Sequence, residues 1–213
     1  MRLKALEKRF NFSHLRVYFQ RRFEAPRVLS DLDIPETGVC LEIGCGQGTG
    51  ALLINQYAYC RRLVCVDIDQ ETIGVARHYI RHPQKWARDI KNGNIQFICE
   101  DASTLSFKDC AFDAVFLFGV LHHIDGWRAV IHEACRVLKV GGVFSFEDAL
   151  FPSSLGVLNQ LAGHVPIDTS ELRRVLEDAG FSVERFEVTR RFELTSYLPG
   201  CYVRAVKGQA AVV

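Results

Sequence analysis

The stretch Val39-Cys40-Leu41-Glu42-Ile43-Gly44-Cys45-Gly46-Gln47-Gly48-Thr49-Gly50 constrains the fold more than any other part of this chain. An apolar run suited to a buried strand leads into alternating glycines and then into a helix-period segment. That is how a parallel sheet begins its first crossover to a helix. Glycines in such a turn tolerate positive φ and have no side chain to hold a ligand away from the backbone. A dinucleotide site would need G-x-G-x-x-G with a pyrophosphate on the helix end, but position 49 is Thr, so that spacing fails. The carboxylate of Glu42, two residues before Gly44, would repel a pyrophosphate and attract an ammonium. The turn therefore suits a cationic amino-acid nucleoside better than a dinucleotide.

The same strand-then-helix alternation continues along the chain, as expected for a parallel sheet wrapped by helices. Apolar runs predict strands at 38–43, 62–67, 95–99, 113–118 and 142–147. Helical periodicity predicts helices at 49–58, 70–82 and 127–139, the last with Trp127, Val130, Ile131, Ala134 and Leu138 on one face. A further helix at 170–179 precedes two runs, 181–188 and 201–206, that read as an antiparallel pair on one sheet edge. With 213 residues, 48% hydrophobic and 24% charged, the chain has the size and balance of one soluble globular domain.

Further motifs follow the glycine turn in order. Asp67 closes the second strand in VCVDID, 25 residues after Glu42, and Glu100-Asp101-Ala102 follows the third strand. The fourth, ending in Phe118-Gly119, leads into Val120-Leu121-His122-His123-Ile124, and Arg136-Val137-Leu138-Lys139-Val140-Gly141-Gly142 precedes the fifth. Over residues 38–148 this series resembles the class I S-adenosylmethionine-dependent methyltransferases of small-molecule type. The resemblance implies a Rossmann-like three-layer α/β sandwich, with a seven-stranded, mostly parallel sheet ending in an antiparallel C-terminal strand pair. It also implies S-adenosylmethionine as cofactor and S-adenosylhomocysteine as product. Glu42, Gly44, Cys45, Gly46 and Gly48 would form the first motif, and Asp67 would accept the ribose hydroxyls with Ile68 against adenine. Asp101 would receive the adenine amino group, the Ala102 N–H would donate to the ring, and backbone at Phe118 and Gly119 would meet the methionine end. Val140 stands where the family has proline, which bears on turn rigidity and not on chemistry.

Methyl transfer from a sulfonium needs an acceptor held in line and, for a hydroxyl acceptor, a base. His122, His123 and Asp148 are the candidate catalytic residues. Some sugar O-methyltransferases of the superfamily share the His-His and later Asp pattern, and His123 to Asp148 has similar spacing; packing or substrate shaping is the competing role. His78, His82, His132 and His164 read as surface or core histidines. Substrate contacts are expected from the N-terminal segment, with Tyr18, Gln20, Arg21 and Arg22 as candidates, and from the apolar stretch 149–168. The acceptor is expected to be a small apolar or amphiphilic molecule, methylated on oxygen, nitrogen or carbon. The alternatives are a lipid-headgroup methyltransferase acting at a membrane surface and a non-catalytic nucleoside-binding module.

Residues 1–30 carry eight Arg and Lys against two Glu within a nearly neutral chain. Leu3, Leu6 and Phe10, then Leu15, Phe19 and Phe23, recur at helical spacing, so residues 1–33 read as a basic amphipathic segment that docks on the domain or lids its pocket. Residues 34–148 form the expected cofactor core, and 149–208 the substrate-side loop, helix and strand pair. No apolar run approaches the roughly 20 residues that cross a bilayer, and charges interrupt the N-terminus, so a cytoplasmic protein is expected. None of the eight cysteines forms a Cys-x-x-Cys pair, which favours buried reduced thiols and no bound metal. No aromatic-basic face suggests nucleic acid. Membrane contact is disfavoured, and the chain is expected to be a monomer or homodimer.

Overall fold

The computed structural model describes residues 13–151, 163–190 and 199–209. The expectations for residues 1–12 and for the apolar wall at 152–162 lie outside these. Seven strands form one sheet: β1 (Val39–Ile43), β2 (Arg62–Asp67), β3 (Ile95–Cys99), β4 (Phe112–Phe118), β5 (Leu138–Ala149), β6 (Phe181–Arg190) and β7 (Pro199–Lys207). Their order is β3-β2-β1-β4-β5-β7-β6. The first five run parallel, and β7 pairs antiparallel with both β5 and β6. The expected α/β sandwich with an antiparallel C-terminal pair is the observed fold.

Strand periodicity assigns the two cores. Cys40 of β1 and Ala114 and Phe116 of β4 join one cluster, which packs on α3 (Thr49–Ala58) and α4 (Gln70–Arg81). Their neighbours Leu41, Ile43, Val115 and Leu117 point the other way, toward α5 (Trp127–Val137) and α6 (Thr169–Asp178). Both faces are covered, so the central strands read as continuous apolar runs. Fully burying a side chain such as Ile43 or Phe116 stabilises the fold by about 1.5–3 kcal/mol.

Several boundaries differ from expectation. The helix predicted over 127–139 stops at Val137, because Leu138 is extended (φ −71°, ψ 142°) and already pairs with Phe112 as the first residue of β5. A register shift between Phe112 and Ala114 absorbs the early start. At its other end β5 runs past 147, since Asp148 and Ala149 pair with Cys201 and Gly200 of β7. Cys99 is exposed because β3 is an edge strand, and Cys110 is exposed on a loop; the other six cysteines are buried, and all eight are free thiols. Arg136 donates to the carbonyls of Leu105 and Phe107 and to Asp109 and Glu133, fixing the loop before β4.

Before β1 lies an arm of α1 (His14–Phe19), a π-helical segment Gln20–Glu24, and α2 (Ala25–Val28). Pro26 has no N–H to donate, so the ordinary ladder fails next to the π segment. The arm buries Val17, Gln20, Glu24, Ala25 and Val28 rather than the expected stripe, and Leu15 is exposed. It docks on the sheet: the Ser145 hydroxyl donates to Val28 O at 2.7 Å, and Arg204 donates to the carbonyls of Ser30 and Asp31. Among the described residues no helix is long and apolar enough to cross a membrane.

Candidate active site

A cavity of about 320 Å³ opens at the carboxyl ends of β1 to β4. The strand order reverses between β1 and β4, and such a reversal leaves a crevice for a ligand in open α/β sheets.

The glycine turn after β1 forms the cavity floor. Gly44 has φ +71°, and a Cβ there would lie 2.6 Å from both methyls of Val120, so only glycine fits. Gly46 and the buried Cys45 also line the cavity. Gly48 does not; it starts α3 with φ +91°, a backbone conformation that favours glycine. The sequence reading missed Gly50, where a Cβ would fall 1.9 Å from Glu42 Oε1. The missing side chain makes room for the Glu42 carboxyl, and the signal was the glycine eight residues after it.

Three of the acids in this wall, Glu42, Asp67 and Asp101, have different surroundings. Glu42 is buried, and its Oε2 has no partner among the described residues. Burial, with a smaller push from the Asp67 charge, raises its pKa to about 8. Asp67 ties two strand ends together, accepting from Gly46 N and from Asp69 N at 3.1 Å each. Asp101 accepts from the Ser103 hydroxyl at 2.7 Å and its N–H at 2.8 Å, which holds its pKa below the usual range. Ile68 is 40% exposed at the rim, and Ala102 borders the same side. Asp69 is buried and caps α4, accepting from Glu71 N at 3.1 Å.

At the other end, Phe118 and Gly119 (φ +70°) leave β4 under the arm. Of the expected substrate residues, Gln20 meets the cavity and Tyr18, Arg21 and Arg22 do not. Tyr18 is 54% exposed, Arg21 lies over the Trp86 ring at 4.2 Å, and Arg22 lies over Phe23. Arg16 lines the cavity beside Gln20. Arg16, Gln20 and Glu24 are spaced by four, a polar row of which the sequence reading picked out only Gln20. The Arg16 guanidinium pairs with both oxygens of Glu24 at 2.8–2.9 Å and reaches Phe118 O at 3.5 Å.

The expected pairing of His123 with Asp148 is not what forms. Asp148 Oδ1 bonds His122 Nδ1, while its Oδ2 accepts from Val120 N at 2.9 Å and Leu121 N at 2.6 Å. Leu121–His123 is a 3₁₀ turn, in which successive side chains point about 120° apart, so only one histidine faces β5. His123 takes the cavity side. Burial, then the neighbouring His122 and His164, lowers its pKa to about 2, so it is neutral at ordinary pH. His164, expected as an isolated surface or core residue, stands beside both: Val165 N donates to His122 O at 2.7 Å and carries it there.

Comparison with known proteins agrees with this geometry. Residues 41–146 match the family model described as methyltransferase domain. Over 148 residues the chain is 34% identical to a "probable S-adenosylmethionine-dependent methyltransferase" of Mycolicibacterium smegmatis, covering 68% of this chain and 52% of that protein. It is 28% identical over 105 residues to the demethylmenaquinone methyltransferase of Leptospira interrogans, covering 49% of this chain and 40% of the relative. The chain thus spans about half the length of these relatives or less. Among solved structures, phosphoethanolamine N-methyltransferase 2 of Haemonchus contortus, in complex with phosphomonomethylethanolamine and S-adenosylhomocysteine, shares the fold. Its TM-score is 0.74 at 15% identity, over 98% of this chain and 61% of the other. The domain match, the ordered turns around one crevice and the strand order together make the chain a member of the class I S-adenosylmethionine-dependent methyltransferases.

Proposed function

We propose that this chain transfers a methyl group from S-adenosylmethionine to an oxygen, nitrogen or carbon atom of a small apolar or amphiphilic molecule. The observation that carries this reading is Glu42: a buried carboxyl with one oxygen unpartnered, at the floor of a crevice whose glycine turn admits a ligand to the backbone. An ammonium group supplies what that oxygen lacks.

When bound, S-adenosylmethionine supplies an electrophilic methyl on a sulfonium. Glu42 would hold its ammonium, and Arg16, a cation at the same end of the cavity, its carboxylate. Asp67 would accept the ribose hydroxyls, Ile68 would cover the adenine, and Asp101 and Ala102 would meet its edge. The backbone at Phe118 and Gly119 would border the methionine chain. The acceptor would then enter beside His123, whose neutral imidazole would accept a hydrogen bond from a hydroxyl acceptor and orient it; with its pKa pushed down to about 2 it is too weak a base to keep the proton. Asp148 acts as a positioning residue, through its bonds to His122 and to the backbone of the turn.

Calorimetric titration with S-adenosylmethionine, S-adenosylhomocysteine and NAD, repeated on Asp67→Ala, tests the pocket. Saturable binding of the two sulfur nucleosides alone, weakened by the substitution, is expected; NAD binding would overturn it. Formation of S-adenosylhomocysteine across a metabolite panel tests the transfer. Tight binding without turnover on any acceptor would favour the non-catalytic module.

A further inference from the structure

Three imidazoles converge where the cavity meets the stretch after β5. The His122 and His123 rings are 3.9 Å apart between centroids, and the His164 ring is 5.3 Å from the first and 5.2 Å from the second. One ring nitrogen from each lies within 4.8 Å of the other two. Phe151 closes one side, 3.9 Å from His164 and 5.0 Å from His122.

Ring packing alone accounts for the aromatic distances but not for the nitrogens. His123 Nδ1 is buried with no hydrogen-bond partner among the described residues, which costs about 1–3 kcal/mol for a polar atom left so. His122 has its Nδ1 held by Asp148, which leaves Nε2 as the atom it can offer. A buried carboxylate on the far nitrogen is the arrangement that orients an imidazole as a metal ligand. His164 comes from a third segment, and its approach is fixed through Val165 N.

We propose that His122, His123 and His164 bind one divalent cation of the zinc class, with a fourth coordination position open to the cavity that His123 lines. An all-imidazole set suits Zn²⁺ or Co²⁺ and not Mg²⁺ or Ca²⁺, which take oxygen ligands. Zinc–nitrogen bonds of about 2.0–2.1 Å require the nitrogens to stand about 3.4 Å apart, so the rings close by roughly an ångström on binding. Three neutral ligands and one open position match the zinc sites that polarise a bound oxygen. The use of the ion rests on the methyl-transfer reading: an acceptor hydroxyl would be the fourth ligand. It would lose its proton to solvent because the ion acidifies it, and the imidazoles would then hold metal in place of that proton.

The test is titration of the chelator-treated full chain with Co²⁺, followed by displacement with Zn²⁺. One equivalent should bind, with the visible bands of a four-coordinate ion and no thiolate charge-transfer band, and Zn²⁺ should abolish the spectrum. His164→Ala should weaken Co²⁺ at least tenfold, while the exposed His132→Ala leaves it unchanged. S-adenosylhomocysteine binding by His164→Ala certifies that the variant is folded. A thiolate band, a weak six-coordinate spectrum, or an affinity indifferent to His164→Ala would overturn the site. Failure of the methyl-transfer reading would appear separately, as absence of S-adenosylhomocysteine binding by the unsubstituted chain.

Discussion

The two ends of the crevice are held by different means. The end formed by Gly44, Asp67 and Asp101 is largely backbone: each turn leaves a strand whose register is fixed on both sides or, for β3, on one. The end formed by Arg16 and His123, with His164 packed behind His123, is made of side chains from an arm, a 3₁₀ turn and a stretch bonded to that turn through Val165 N. The sheet specifies the first through those registers. The second depends on three segments that the sheet only borders, so it can be altered without disturbing the first.

Asp148 is where that contrast can be broken most severely, since it ties the acceptor end to β5. Asp148→Ala should destabilise the protein by roughly 3–5 kcal/mol, because two backbone N–H groups and an imidazole lose a buried carboxylate; urea unfolding measures it. On the cofactor side, Gly44→Ala forces a side chain into positive φ and against Val120. It should cost about 2–4 kcal/mol and abolish S-adenosylhomocysteine binding by calorimetry.

Glu42→Gln sharpens the comparison through protons. The native carboxyl is protonated up to about pH 8 and the unfolded one only to its ordinary value, so the ligand-free protein should lose stability as pH rises through that window. An incoming ammonium favours the ionised form. Cofactor binding at pH 7 should therefore release a proton, and affinity should fall as pH drops below 8. Calorimetry in buffers of different ionisation enthalpy reads the proton, and Glu42→Gln should abolish it while weakening binding by roughly 2 kcal/mol.

Smaller effects belong to the arm. Arg16→Ala should weaken the cofactor about tenfold, as loss of one charge-assisted contact from a group already paired with Glu24. Tyr18→Ala, whose side chain faces outward, should leave cofactor affinity within about twofold. An effect of Tyr18→Ala as large as that of Arg16→Ala would mean that the arm reorients on binding.

The legibility of the chain follows the same division. Glu42, Asp67, Asp101 and Gly119 were readable because each ends a strand that announces itself by an apolar run, and position then implies role. Arg16 was not, because the pattern Leu15, Phe19, Phe23 predicts a buried face, whereas the folded arm leaves Leu15 exposed and Phe19 and Phe23 half-buried and buries Val17, Gln20 and Glu24. His122 and His123 were found as a pair, yet which of them meets Asp148 depends on the phase of a three-residue turn. His164 lies 41 residues beyond His123 with no periodicity linking them, so only the folded chain reveals the cluster. The end of α5 was misjudged because Leu138 suits either the helix stripe or the strand, and pairing with Phe112 decides it.

The π-helical segment Gln20–Glu24 makes the arm's length a determinant of chemistry. A π segment amounts to one residue more than an ordinary helix needs for the same advance. Deleting a single residue there would remove the π turn and rotate α1 by about 100°, carrying the Arg16 guanidinium off the crevice. A one-residue indel in this arm would thus act as a rotary selector, changing which side chain is dialled over the methyl end while every strand stays where it is.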